Sequence, residues 1–379
     1  MEFRDLKKQY LKYENEFDQA VKKVMHEANF ISGAQVKQLE ERMAKYVGVQ
    51  HCISCGNGTD ALSLVLQAWG IGQGDAVFVP NYTFFATAEV VSYVGATPIF
   101  VDVYPDTFNI EIEHLEQQIK KVIDEGNLKP RVIISVDLFG LLADYDGLEK
   151  IAKKYNLLVL EDAAQAFGAE FKGKKACSFG DAATTSFFPA KPLGCYGDGG
   201  AIFTNNDKLA SLLESLKVHG KSKEDKYDNI RIGVNSRLDT IQAAILDVKM
   251  DAFINHELTD VNKAYELYTE RLNRFVITPV IPEGYYSSFA QYTIKLTSKS
   301  ERDGLQKYLK DNDVPSLIYY TKTMHQQKAF SYLSNNDDDY PVSTKLCDIV
   351  LSIPIHPYIT LEEIDRVTNL IKTFVQISR

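Results

Sequence analysis

Apolar runs that lack the polar alternation of a half-exposed strand recur along the first half of the chain: AVFVP at 76–80, PIFVD at 98–102, RVIISV at 131–136 and LLVLED at 157–162. Such runs predict strands covered on both faces, as in a parallel sheet. Between them apolar positions fall at helical spacing, as Leu62, Val65, Leu66 and Trp69 do within 59–69, and the segment 114–123 repeats the pattern. The alternation predicts an α/β fold with a mostly parallel central sheet. ATTSFF at 183–188 and AIFTN at 201–205 extend it, until a long helical stretch sets in near residue 237 and includes 241–250. After about residue 255 the order changes to a helix, the strand candidate FAQYTIKL, a helix at 300–311, the strand candidates PSLIYY and VLSIPI, and a last amphipathic helix. In that helix Leu361, Ile364, Val367, Ile371 and Phe374 share one face. The pattern reads as a large α/β domain over 1–254, its first 25 or so residues a helical arm, and a smaller α+β C-terminal domain over 255–379.

Composition narrows the function classes. With 379 residues, 45% hydrophobic and 25% charged, the chain has the makeup of a soluble globular protein large enough for two cores. Its 51 acidic against 42 basic residues give a net charge of -9, so a nucleic-acid backbone is repelled by the chain as a whole. The opening MEFRDLKKQYLKYENEF is too charged for a secretory leader, and no run of about 18 apolar residues occurs. A cytoplasmic protein that binds neither membrane nor nucleic acid is expected. Five cysteines, an odd number, point to reduced thiols. Cys52 and Cys55 form a C-x-x-C, but a zinc site of that spacing needs a second pair, and Cys177, Cys195 and Cys347 stand alone. No metal site is predicted, and buried small side chains are the ordinary reading.

Three motifs carry chemistry. In TTSFFPAKPLGCYGDGGAIF, Lys191 and Asp198 are the only charged residues between 182 and 203. Desolvation in such an apolar, glycine-rich setting lowers an ammonium pKa, and the neutral amine is what attacks an aldehyde. The plain alternative is a loop lysine whose amine snorkels to water. LVLEDAAQAFGA sets Asp162 at the carboxyl end of a predicted buried strand, where ligands of open parallel sheets sit. Such a carboxylate needs a partner: a pyridinium nitrogen would serve, as in pyridoxal phosphate (PLP) enzymes, and so would the amides of a following helix that it caps. SCGNGTDAL runs from a short strand into a helix, with Gly56 and Gly58 allowing a turn whose amides can hold a phosphate. Read alone, it is equally a tight turn.

These residues carry a family resemblance over essentially the whole chain. GNGTDAL, NYTFFAT, EDAAQAFGA, SFFPAKPLGCYGDGGAI, VHG and GVNSRLDTIQAAIL, in this order and spacing, are similar to the nucleotide-sugar aminotransferases of the DegT/DnrJ type. Those are PLP enzymes of the aspartate aminotransferase fold, PLP fold type I. SCGNGTDAL, GVNSRLDTIQAAIL, AQYTIKL and PIHPYIT are closest to the bacterial enzymes that aminate C3 of a UDP-linked 2-acetamido-3-keto-hexuronic acid. The resemblance implies L-glutamate as amino donor, 2-oxoglutarate as its product, and a homodimer with shared active sites. It also implies an amino-sugar product for surface polysaccharide such as lipopolysaccharide O-antigen.

By matching motif the resemblance makes Lys191 the lysine that bonds the PLP aldehyde and Asp162 the pyridinium partner. Gln165 would contact the ring or its 3-oxygen, Phe84 would stack on the ring, and Gly58, Thr59 and Ser186 would hold the phosphate. Asn235 would reach that phosphate from the neighbouring subunit. Phe30, Ala190, Arg237, Tyr319 and Tyr320 match positions that contact the nucleotide sugar. Two depart from the family pattern: Ala190 stands for a serine of close relatives and Tyr319 for a histidine. Core packing is the alternative for Phe84 and Phe30, and a salt bridge is the alternative for Arg237. His219 would contact substrate or merely close the preceding helix. The functional alternatives are a C4-aminotransferase acting on a 4-keto-6-deoxy nucleotide sugar and a non-catalytic regulatory protein of the same fold. A dehydratase of this fold carries histidine in place of the lysine, so Lys191 argues against it.

Overall fold

A computed structural model describes residues 1–225, 227–333 and 335–378. Seven strands form the central sheet: β1 (His51–Cys55), β2 (Asp75–Pro80), β3 (Thr97–Val101), β4 (Lys129–Val136), β5 (Leu158–Asp162), β6 (Ala182–Ser186) and β7 (Gly200–Thr204). Their order is β1-β7-β6-β5-β4-β2-β3. The β2/β3, β2/β4, β4/β5 and β5/β6 pairs are parallel, and β7 runs antiparallel to both its neighbours. The α/β expectation with a mostly parallel sheet holds.

The continuous apolar runs are explained by two cores, one on each face. Ala76 and Phe78 of β2, Ile133 of β4 and Val159 of β5 join one, together with the helices Ala34–Val47, Ile112–Glu125, Tyr145–Tyr155 and Thr240–Ala252. Val77, Val79, Val132, Ile134 and Leu160 point the other way, against the helices Gly58–Ala68, Phe85–Tyr93 and Asp207–Leu216. Strand side chains alternate between faces, so a strand buried on both needs apolar residues throughout. The same alternation separates Cys52, which lies in the first core, from Cys55 in the second. The two thiols face opposite sides of the sheet and cannot ligate one ion or join each other. Burial pushes Cys55 up to about 12, which keeps it a thiol.

A third core gathers the helices Leu258–Leu272, Lys299–Asp311 and Leu361–Ser378 around the antiparallel pair β8 (Tyr292–Lys295) and β9 (Val350–Ile353). The position between 254 and 255 falls inside the wide helical turn Phe253–Glu257, which links Thr240–Ala252 to Leu258–Leu272. Phe253 packs on the large sheet and Val261 in the third core, so one bent helix serves both.

Two local readings are corrected. PSLIYY is not a strand: Leu317 alone bridges Ser352, because Pro315 has no amide to pair and Tyr319 and Tyr320 are drawn to Tyr82. Leu361 is 55% exposed at the start of its helix, and the buried stripe is Ile364, Val367, Thr368, Ile371 and Val375.

Candidate active site

The C-terminal ends of β1, β5 and β6 meet on one edge of the sheet, since β7 lies antiparallel between β1 and β6. Gly200 pairs with Cys55 on one side and Ser186 on the other. Beyond β1, the Asn57 side chain accepts from the Asp60 amide at 2.8 Å and caps the helix Gly58–Ala68. Gly58 and Thr59 head that helix, where uncommitted amides and the helix dipole favour an anion. A Cβ on Gly58 would stand 2.8 Å from the Ser186 Cβ, and one on Gly200 would stand 2.5 Å from the Asn57 carbonyl carbon. Only glycine lets the three segments close to this spacing. Ser236, which sequence reasoning missed, locks the turn from the far side. Its hydroxyl donates to Asp60 Oδ2 at 2.6 Å and accepts from the Gly56 amide at 2.8 Å.

Asp162 ends β5, 4% exposed. Its Oδ2 accepts from Thr87 Oγ1 at 2.9 Å and its Oδ1 from the Ala164 amide at 3.2 Å. Burial raises its pKa, while Thr87, Ala164 and the charge of Lys191 oppose that. No helix follows Asp162 among the described residues, so the helix-cap reading fails: its Oδ1 holds a turn amide instead, and no cation among the described residues hydrogen-bonds the carboxylate. Thr87 was also missed, although it lies one helical turn beyond Thr83 in NYTFFAT and bonds it at 3.1 Å. Lys191 is half-buried, its amide donating to the Phe188 carbonyl at 2.9 Å, and it is near enough to Asp162 for the two charges to act on each other. Burial pulls its ammonium pKa below the usual value, Asp162 opposes this and Arg4 adds to it.

The residues fit PLP. The glycine-lined helix start with Ser186 would hold the phosphate, Asp162 the ring nitrogen and Lys191 the aldehyde. Around that space Gln165 accepts from the Phe139 amide at 2.7 Å and donates to the Tyr320 hydroxyl at 3.3 Å. Tyr82 fixes Tyr319 and Tyr320 by donating to the Tyr319 carbonyl and accepting from the Tyr320 amide at 3.0 Å. Phe84 is 56% exposed, tilted toward Tyr320 at 6.4 Å between ring centroids, so the core-aromatic reading fails for it. Phe30 is exposed too; its carbonyl accepts from the Thr240 amide at 2.9 Å. Within the chain, no hydrogen bond or ring contact among the described residues ties Phe30, Ala190 or Asn235 to the Lys191 and Asp162 side chains. Asn235 is exposed and bridges Val218 by its backbone. Arg237 stands next to the Ser236 lock, and among the described residues no carboxylate pairs with it, which removes its salt-bridge reading. His219 adopts a positive φ of 67° and its amide donates to Val234.

Behind Asp162 sit two more buried carboxyls, Asp137 and Glu161. Asp137 Oδ1 accepts from the Ala143 amide at 3.0 Å and the Tyr145 hydroxyl at 2.9 Å, while Glu161 accepts from the Cys177 and Phe179 amides at 2.6 and 2.8 Å. Burial pushes Asp137 up to about 7. A folded pKa above the unfolded value means that the native state holds the extra proton, so this stabilisation is full in acid and is lost as pH rises through about 7. Asp137→Asn is expected to flatten the fall in melting temperature between about pH 5 and 8 and to add about 1–3 kcal/mol at the upper end. Parallel melting curves with an unchanged slope would refute the raised pKa of Asp137.

The sequence profile of the DegT/DnrJ/EryC1/StrS aminotransferase family matches residues 12–372. A UDP-2-acetamido-2-deoxy-3-oxo-D-glucuronate aminotransferase of Pseudomonas aeruginosa is 42% identical, over 95% of this chain and 96% of its own length. A UDP-N-acetyl-3-dehydro-alpha-D-glucosamine 3-aminotransferase of Acidithiobacillus ferrooxidans is 38% identical, over 97% and 96%. A crystal structure of a DegT DnrJ EryC1 StrS aminotransferase from Brucella abortus superposes with a TM-score of 0.96 at 46% identity, covering 99% of both chains.

Proposed function

The chain belongs to the DegT/DnrJ/EryC1/StrS aminotransferase family, which depends on PLP, and from that premise we propose that it moves an amino group from L-glutamate to the C3 keto group of a UDP-linked 2-acetamido sugar. The observation that carries this reading is Asp162, buried at the end of β5 and electrostatically coupled to Lys191, on the sheet edge that also carries a glycine-lined helix start. Position C3 is supported by the two relatives, whose names share the UDP group, the 2-acetamido group and C3, and differ in the C6 carboxylate. An intact Lys191 and Asp162 speak against a non-catalytic regulatory role.

When bound, PLP supplies an aldehyde and an electron-withdrawing ring that carries the amino group between donor and acceptor. The protein does the rest. Asp162, as a carboxylate, would hold the ring-nitrogen proton, its oxygens fixed by Thr87 and Ala164. Lys191, freed as a neutral amine by desolvation, takes a proton from the substrate carbon and returns it. The Gly58 and Thr59 amides with Ser186 would hold the phosphate end, and Phe84 would cover the ring. Phe30, Ala190, Arg237, Tyr319 and Tyr320 line the sugar nucleotide's path, with the Arg237 guanidinium matched to a phosphate or carboxylate. The product serves a surface glycan, and the enzyme works in the cytoplasm as a homodimer.

Spectra test the reaction. L-Glutamate should abolish the visible band of the loaded enzyme, and a UDP-2-acetamido-3-keto sugar should restore it. Restoration by a 4-keto-6-deoxy nucleotide sugar in its place would overturn the C3 assignment.

Mixing tests the shared site. If Asn235 reaches the partner's cofactor phosphate, Asn235→Ala weakens PLP binding roughly ten- to a hundredfold, the worth of a hydrogen bond to a charged group. Combining inactive Lys191→Ala with Asn235→Ala chains then restores one working site per heterodimer. Mass spectrometry confirms the subunit exchange, and no regained activity after it means that Asn235 serves its own chain or none.

A further inference from the structure

The first residues of the chain reach both the lysine turn and the small domain. Met1 packs on the third core, the Phe3 ring meets the edge of Tyr319 at 6.3 Å, and Lys8 pairs with Glu363 at 3.1 Å. Between these contacts Arg4 Nη2 donates to the Pro192 carbonyl at 3.2 Å. The arm thereby satisfies and pins the main-chain carbonyl of the residue just beyond Lys191.

We propose that Arg4 is a positioning residue for Lys191: its guanidinium anchors the turn that presents the amine and keeps a positive charge behind it, so that the amine gives up its proton where the reaction needs it. This rests on Lys191 being the amine that meets the cofactor. Two charged groups bear on Lys191, and they oppose each other: Asp162 favours the ammonium and Arg4 disfavours it. Around Arg4 itself stand Glu257 and Tyr358, and its charge also reaches Lys249 and His356. Glu257 is tied down by Gln9 Nε2 at 2.7 Å and by the Tyr358 hydroxyl. Like charges sharing a desolvated region make protonation of the second one harder. Burial is the larger influence on the amine, and the arm's charge acts in the same direction.

The full-length chain freed of cofactor gives a readout independent of turnover. Trinitrobenzenesulfonate labels neutral amines, and peptide mass spectrometry follows Lys191 alone as pH is varied. Arg4→Met and Arg4→Gln should raise the labelling midpoint by about one pH unit, whereas Arg4→Lys, which keeps the charge, should hold it near the parent value. Glu257→Gln, by stripping Arg4 of its counter-charge, should lower it. A merely structural arm would lower the melting temperature and leave every midpoint in place. An unmoved midpoint in folded Arg4→Met or Arg4→Gln overturns the proposal; if neither folds, an unmoved or raised midpoint in Glu257→Gln does so. Failure of the underlying reading shows separately, as activity retained by Lys191→Ala.

Discussion

Lys191→Ala is expected to fold as well as the parent and to lose transamination. The side chain makes no hydrogen bond among the described residues, and removing a desolvated ammonium relieves a cost, so the melting temperature of the cofactor-free variant should stay level or rise. Activity behaves oppositely. Proton transfer by a positioned group is worth a factor on the order of 10² to 10⁴, and the bond to the aldehyde is lost in addition. No second lysine lies between 182 and 203 to take over. Steady-state assays that find a rate within about tenfold of the parent, a barrier change of only about 1.4 kcal/mol, would remove Lys191 from the reaction. External methylamine, which can shuttle the proton but cannot restore the tethered bond, should recover part of the lost rate.

Asp162→Asn separates catalysis from the structural role of holding the local turn. The amide keeps the shape of the carboxylate, and its oxygen can still accept from Thr87 or Ala164, so the cofactor-free fold should be at least as stable. A neutral amide cannot hold a proton on the ring nitrogen, and the substrate carbon loses the electron sink that makes its proton acidic. We expect kcat to fall by roughly a hundredfold or more, about 3 kcal/mol, with the cofactor still retained. A variant that melts earlier but turns over at the parent rate would make Asp162 a holder of the local turn and nothing else.

The sequence displayed the layers of this fold more readily than their arrangement. Continuous apolar runs gave β2, β4 and β5 because those strands are covered on both faces, and Asp162 was legible because it ends such a run. The insertion of β7 between β1 and β6 was not legible, since pairing across some 150 residues leaves no local period. Tyr319 and Tyr320 read as strand because aromatic residues favour strands, yet tertiary bonds to Tyr82 outweighed that preference. Within the site, residues with unusual surroundings in sequence were found, and those with ordinary surroundings were missed. Lys191 stands out in an uncharged stretch; Ser236 and Thr87 are hydroxyls with no local peculiarity, and only the closed fold gives them a carboxylate to hold. Arg4 was hidden for the same reason, in an arm whose charge pattern resembles any solvated helix.

The place of β1 in the sheet sets a timetable for synthesis. Its one neighbour, β7, begins about 150 residues later, so at roughly 5–20 residues per second the first strand emerges from the ribosome on the order of ten seconds before the strand that flanks it. Until those residues emerge the helix Gly58–Ala68 lacks Ser186 and Gly200 against its start, and the backbone edge of HCISC lacks its pairing strand. Nascent chains halted before residue 200 should therefore fail to retain PLP and should recruit chaperones, and the cofactor enters only once the large sheet has closed.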